Sequence, residues 1–394
     1  MPLVHMKDML GHAYENGYAV GAFDVVSLDF VKGVMTAAER CRAPVILSLA
    51  ESHFEHYDFE LMMSAVEAAA CRSLVPVAIH LDHGASLESA VRAIRLGCNG
   101  VMVDASEADL SDNLRRTKAV AEMAHACGVP VEGELGYVPG VEGEDAERHP
   151  GSIAYTTVAE AKGFVEHTGV DFLAVSIGTV HGRLKGKAKL DFQRLRNINQ
   201  TLGIPLVAHG GTGLDDDQFR RLIANGVAKI NYYTALADAA GASIRAQAKS
   251  APGAGYTTLV KDVSEAIGTE VERCILVWGG AGRAAEVLSH CRPWVAVEHL
   301  IIHNVIGGGS EKETAEMMAE GRQTLGTIPG VREVVTGRAV KEGSQYRYCW
   351  LVRFAAPEVI DSYREHPAHV AFANLRFRPV ADERISIGYA LDGA

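Results

Sequence analysis

The chain has 394 residues, 48% of them hydrophobic, and a formal net charge of −11. That length supports one large core plus a smaller second domain. The acidic balance excludes a general nucleic-acid binder and leaves any anion to a local site. No apolar run reaches membrane-spanning length, and the amphipathic start has no signal-peptide core. The seven cysteines stand far apart without a CxxC pair, so the expectation is a cytoplasmic protein with reduced thiols and no membrane partner.

Short apolar runs alternate with helical stretches as far as residue 235. Strands are predicted at 19–25, 45–49, 77–81, 100–104, 131–135, 172–176, 206–209 and 228–231. Helices are predicted at 29–40, 59–71, 87–96, 110–127, 158–168, 192–202 and 215–225. Eight such units in about 250 residues fit an α/β fold closed as a (β/α)8 TIM barrel. An open doubly wound sheet is the alternative, but it would not gather the polar ends of so many strands in one place. Residues 255–297 read as a helical extension of the barrel, broken at WGGAGRA (278–284). The composition then changes. Strand 294–302, helix 310–324, strands 331–340 and 346–354, helix 356–365 and strand 384–390 give the order β-α-β-β-α-β, a C-terminal ferredoxin-like α+β domain. The expected domains are 1–292 and 293–394.

The predicted third strand opens at its C-terminal end into His80, Leu81, Asp82 and His83. In a parallel α/β fold that end is where sites are built. His181 in GTVHG and His209 in AHGGTG stand at two further strand ends. Three neutral imidazoles and one open position suit a catalytic zinc or similar divalent ion. Taken singly, each histidine could equally be a capping or surface residue. His80 is read as a core or supporting residue, because strand alternation points it with Asp82 and away from His83 unless the strand has ended. Asp82 would lie beside the ion without ligating it, placed to move a proton. Glu132, Glu134 and Asp104 add acids at neighbouring strand ends, and acids crowded at one mouth call for a cation; interior ion pairing is the plainer reading of Glu132 and Glu134.

Gly210, Gly211, Thr212 and Gly213 follow the seventh predicted strand, and Asn231 and Thr234 follow the eighth. Barrels bind phosphate there with backbone N–H groups and a helix N-terminus. Gly182 offers another amide. The loop 183–189 carries Arg183, Lys185, Lys187 and Lys189, as a cover for an anionic substrate or as a solvated surface loop. Lys229 is the nearest candidate for an imine mechanism, though no lysine stands alone in a convincingly apolar strand end.

With these residues in view, the sequence resembles the class II, metal-dependent fructose-bisphosphate and tagatose-bisphosphate aldolases. The matching stretches are YAVGAFDV (18–25), HLDHG (80–84), VMVDAS (101–106), VEGELG (131–136), IGTVHG (177–182), LDF (190–192), AHGGTG (208–213), KIN (229–231) and WGGAGRA. The resemblance implies cleavage of a ketose 1-phosphate or 1,6-bisphosphate to dihydroxyacetone phosphate and an aldehyde. It implies proton transfer by Asp82, with Glu134 as a second catalytic acid near or on the metal. It implies His83, His181 and His209 as ligands to Zn2+, Co2+ or Mn2+. Asp104, Ser106 and Glu134 would surround a second, monovalent cation. Gly182, Gly210, Gly211, Thr212, Asn231 and Thr234 would hold phosphate. Asp24, where the family has Asn, and Lys185 are candidate substrate contacts. Tyr232 and Tyr233 replace small or acidic residues and are expected to crowd the phosphate side. Other function classes consistent with the residues are a metal-dependent epimerase or isomerase of a phosphorylated sugar and a non-catalytic scaffold.

The tail resembles the stress-responsive dimeric α/β barrel domain, on VEHLIIHNV, IPGV, YRYCWLVRF and YREHPAHVAF. That implies sheet-to-sheet pairing and a homo-oligomer, dimer or tetramer. His299, His303, His366 and His369 suggest a second metal or an acid–base cleft as another use of the domain.

Overall fold

A computed structural model of the chain describes residues 2–136, 138–140, 144–146, 155–184, 188–308 and 310–390. Two units emerge. The first comprises 1–90, 98–121 and 130–293; the second comprises 294–394 with 91–97 and 122–129.

The first unit is a closed barrel of eight parallel strands: Val20–Asp24, Val45–Ala50, Val77–Gly84, Gly100–Val103, Val131–Leu135, Phe172–Val175, Leu206–Ala208 and Val227–Tyr232. Each predicted strand is present. They are buried on both faces, which is why they read as continuous apolar runs. Alternation sorts their inward residues by height. Ala22, Ile46, Ala78 and Ala174 line the lower barrel and pack on Met6, Met9 and Leu10 of the helix Met6–Glu15, which forms its floor. One step further along the same faces come Asp24, Ser48, His80 and Ser176, all buried. The barrel is therefore apolar below and polar toward its C-terminal mouth. Outside the strands, Trp278 stacks on Phe23 with ring centroids 5.7 Å apart and meets Tyr232 and Phe219 edge-on.

The third strand runs further than expected. It continues through Asp82 and His83 to Gly84, and its register with the fourth strand slips between Leu81 and Gly84. Three steps on one strand match two on the other, which is a β-bulge. His83 has φ +47° there, in the left-handed region. Histidine is among the residues enriched in that region, at a cost of about 1–2 kcal/mol. The next residue must be small, because a Cβ on Gly84 would stand 2.6 Å from the Met102 carbonyl oxygen.

The second unit carries a four-stranded antiparallel sheet in the order Val331–Arg338, Tyr348–Phe354, Val297–Val305, Ala381–Ala390. With the helices Glu311–Leu325 and Val359–Glu365 this is the ferredoxin-like arrangement. A further short helix, Pro367–Phe372, precedes the last strand.

Candidate active site

The bulge resolves the alternation problem posed by Asp82 and His83. Asp82 keeps the inward phase of Ala78 and His80, and the left-handed residue after it turns inward as well. His83 Nε2 lies 3.1 Å from His209 Nδ1, with His209 at the end of the seventh strand. His181 completes the group: its ring centroid is 5.1 Å from that of His83 and 5.8 Å from that of His209. One nitrogen from each of the three falls within 4.8 Å of the others.

Each imidazole is oriented by its other nitrogen. His83 Nδ1 contacts the Asp104 carboxylate at 2.7 Å, His209 Nε2 contacts Glu132 at 2.9 Å, and His181 Nδ1 donates to the Val138 carbonyl at 3.1 Å. Such outer partners fix ring orientation and tautomer in metal sites. The residues fit a divalent ion on three further counts. His181 Nε2, Glu134 Oε2 and Asp82 Oδ2 are buried without a hydrogen-bond partner. Two nitrogens sharing a tetrahedral ion at about 2.0–2.1 Å stand about 3.3 Å apart, close to the His83–His209 spacing. Burial, then the neighbouring His83, pushes His181 and His209 down to about 3, so both present lone pairs. Burial works against a charge on His83, but Asp82 and the hydrogen bond it donates to Asp104 outweigh it, and without a cation its pKa is held well above the usual imidazole value. Burial, then Asp104, raises Glu134 to about 8.

Behind the histidines runs a chain of buried polar groups that links the third, fifth and eighth strands. Lys229 Nζ is 2.7 Å from Glu132 Oε2 and donates to Asn231 Oδ1 at 2.6 Å. Asn231 Nδ2 donates in turn to Asp82 Oδ1 at 2.7 Å. Lys229, Glu132 and Asp82 are fully buried. His80 sits at the base of this chain, 3.8 Å from Glu132 and 3.4 Å from the Ser48 hydroxyl. Residue-by-residue reading missed the chain because its members are far apart in sequence. The signal available was the phase: Lys229 and Asn231, like Glu132 and Glu134, are two apart on a strand and so share a face.

The glycine loop lies at the end of the seventh strand. Gly210 has φ +69°, and a Cβ there would meet the Val180 carbonyl oxygen at 2.2 Å. Gly182 also has a positive φ, of 81°. Thr212 Oγ1 accepts a hydrogen bond from the Ala235 amide in the first turn of the helix Thr234–Ser250. Asn231 differs from the other expected phosphate contacts, since its side-chain amide is directed to Asp82.

Other expectations near the site change. Tyr232 backs the glycine loop from the outer side: a Cβ on Gly211 would meet its ring at 3.3 Å, and its hydroxyl donates to Glu270. Tyr233 packs on His53, with centroids 4.3 Å apart, and on Phe30. Arg183 is engaged by Asp238 and stands 3.7 Å from Asp145. Asp24 is buried at the end of the first strand, paired with Ser48 across the ladder. Asp104 receives two bonds from Ser106 as well as the His83 contact. Lys185 and Lys187 lie outside the described residues.

The site opens into a cavity of about 720 Å³. His53, His83, Asp104, Glu134 and His181 line it together with Glu55, Glu107, Glu144 and Arg116. His53 and His56 were not anticipated; they come from the short turn after the second strand.

A family model for class-II fructose-bisphosphate aldolase matches residues 4–283, and one for the stress responsive A/B barrel domain matches 297–391. A fructose-bisphosphate aldolase of Staphylococcus aureus is 41% identical over 248 residues, covering 62% of this chain and 86% of its own. The crystal structure of the YdjI aldolase from Escherichia coli K12 superposes with a TM-score of 0.63 at 31% identity, over 72% of this chain and 99% of that one. The fructose-bisphosphate aldolase structure from Campylobacter jejuni shares the fold, with a TM-score of 0.60 at 21% identity over 71% of this chain and 96% of that one. A barrel of this sequence and topology is a lyase, and the chain belongs to the class-II fructose-bisphosphate aldolase family.

Proposed function

We propose that the chain is a zinc-dependent aldolase that cleaves a ketose 1-phosphate to dihydroxyacetone phosphate and an aldehyde. The observation that carries this is the convergence of His83, His181 and His209 beside the buried Asp82. The three histidines would hold the ion, with Glu134 in reach; Co2+ or Mn2+ would suit the same nitrogens. A divalent ion so held supplies Lewis acidity at a carbonyl oxygen. Asp82 takes the proton of the C4 hydroxyl as the C3–C4 bond opens, and returns it in the condensation direction. Asn231 holds one Asp82 oxygen and leaves the other for the substrate. Glu134, whose pKa burial and then the neighbouring Asp104 raise, is the second acid. Asp104 and Ser106, with Glu134, form the surroundings of a monovalent cation.

The phosphate would lie on the amides of Gly182, Gly210 and Gly211, the Thr212 hydroxyl and Thr234, at the N-terminus of the helix Thr234–Ser250. Asn231 serves Asp82 in this reading. For the distal end the cavity argues against a second phosphate. Glu55, Glu107 and Glu144 face it against Arg116, and Arg183 is already paired. Asp24 extends the acidic character of the mouth.

Residues 1–292 form the catalytic domain and 293–394 the accessory domain in this proposal. The latter exposes Val335, Ile385 and Ile387 on the sheet face that also carries Leu300, Ile302 and Leu351, a surface suited to self-association as a dimer or tetramer. No helix among the described residues is long and apolar enough to cross a membrane, and no disulfide joins the cysteines; both agree with a cytoplasmic location.

The test is product analysis with a panel of ketose mono- and bisphosphates and protein loaded with zinc. An aldehyde fragment released with dihydroxyacetone phosphate is expected, with at least a tenfold preference (about 1.4 kcal/mol) for substrates lacking the distal phosphate. A rearranged ketose with no fragment would point to an epimerase or isomerase and sink the aldolase mechanism. A similar preference for fructose 1,6-bisphosphate would overturn only the distal-end reading.

A further inference from the structure

The second unit contains a cavity of about 560 Å³ between its sheet and the helices after Phe354. Its walls divide by chemistry. Phe354, Tyr363 and Phe377 supply an aromatic lining, and Ile301 and Ile360 extend it. A smaller apolar pocket continues from it past Ile301 and Phe377 to Trp350. Arg364, Arg378 and Arg384 stand around it, together with His299 and His369, and no carboxylate side chain is among the lining residues. On a chain of net charge −11 this is a local reversal of sign.

The arginines are only lightly neutralised. Arg364 is 3.3 Å from Asp361, an exposed pair of little energetic weight. Arg378 donates to the neutral Asn374. Both histidines are held to the wall: His299 Nε2 meets the Ser386 hydroxyl at 3.3 Å, and His369 Nδ1 donates to the Arg364 carbonyl. Burial, followed by the neighbouring histidine and by Arg364, lowers the pKa of His299. The cationic character thus rests on the arginines and persists through neutral pH.

We propose that this cavity binds an amphipathic organic anion: a flat apolar body against Phe354, Tyr363 and Phe377, with a carboxylate or phosphate group reaching the arginines. The volume lies within the range of small-molecule sites, and an apolar cavity with a few convergent polar groups is their usual form. Guanidinium groups recognise both acid types through paired N–H donors. The cavity shares no lining residue with the aldolase site, so its occupancy is read by a measurement other than cleavage.

The probe is 2-naphthoate, titrated calorimetrically into the full-length, zinc-loaded protein. One molecule per chain with a Kd in the micromolar range is expected. The neutral 2-naphthalenemethanol should bind at least tenfold more weakly, and the naphthoate Kd should rise with salt. Inorganic phosphate, as competitor, reports whether the anionic group alone suffices; displacement only at concentrations at least a hundredfold above the naphthoate Kd is expected. Arg378→Glu with Arg384→Glu should weaken binding at least tenfold. Gly388→Phe provides a second test. Gly388 lines the cavity, and a Cβ there meets only Val297 Cγ1, at 4.0 Å, so the ring should fill the space and abolish binding while leaving aldol cleavage unchanged. Equal binding of the neutral analogue, or undiminished binding in both the charge-reversed and the filled variants, would overturn the proposal.

Discussion

The buried pair of Lys229 and Glu132 invites a quantitative test. Both side chains are wholly inaccessible and their charged atoms are 2.7 Å apart. Lys229→Met keeps a flexible apolar stem of similar length and removes the charge, leaving Glu132 with His209 at 2.9 Å and the more distant His80 at 3.8 Å. Breaking a buried pair from one side costs about 3–5 kcal/mol. At roughly 2–4 °C per kcal/mol for a large domain, the barrel transition should fall by roughly 6–20 °C. The measurement is urea and thermal unfolding in the presence of a chelator, so that loss of a bound ion does not enter the comparison. Adding Glu132→Gln removes the stranded charge while keeping a partner for His209. The double variant should recover at least half of the loss, a coupling of about 2 kcal/mol. A Lys229→Met protein within about 1 kcal/mol of the parent would refute the view that the ammonium holds this acid in place.

Asp82→Asn preserves the acceptor for Asn231 but not the base, so turnover should fall by about two orders of magnitude or more while elemental analysis still finds the metal; near-normal cleavage would reject Asp82 as the proton carrier. Gly210→Ala forces a Cβ against the Val180 carbonyl at positive φ; kcat/KM for a phosphorylated ketose should drop at least tenfold, or about 1.4 kcal/mol, and much less for the dephosphorylated sugar. Glu270 accepts from Tyr232 and Arg273; burial opposes its ionisation, but these donors outweigh burial and hold its pKa below the ordinary range. A depressed pKa contributes stability that is present above the unfolded value of about 4.3 and is lost as pH falls through the folded one. Glu270→Gln should therefore cost about 1–2 kcal/mol at pH 7, with the difference shrinking in urea melts below about pH 4; a gap independent of pH would contradict the assignment.

Much of the barrel was legible because its strands are buried on both faces and written as apolar runs, with polar residues at one end. His181 and His209 could be nominated from that position alone. Other features depended on facts that a linear pattern does not carry. The direction of His83 follows from a bulge, and no local propensity marks which residue will take the left-handed backbone. Tyr232 is next to the strand end in sequence, but one step of strand alternation turns its ring outward among Phe23, Phe219 and Trp278, where it backs Gly211 of the loop. Arg183 looked available until the helix bearing Asp238 came beside it. By sequence position Lys229 is a candidate nucleophile, whereas its partner Glu132, almost a hundred residues earlier, makes it a structural cation.

The left-handed residue in the third strand also sets the density of function in the barrel. A regular strand delivers one inward side chain per two residues, about 6.6 Å of rise. By inserting one residue, this strand presents two adjacent inward groups, Asp82 and His83, within a single step. The proposed proton carrier and the proposed ligand thereby occupy neighbouring positions on one strand. The same backbone restricts what evolution or engineering can place there. Glycine at position 83 would relieve about 1–2 kcal/mol of strain while deleting the imidazole proposed as a ligand. A β-branched residue would add strain without supplying an imidazole. Stability and the proposed chemistry thus pull in opposite directions at one φ angle, and selection for a more robust barrel would first remove the imidazole on which the proposed metal site depends.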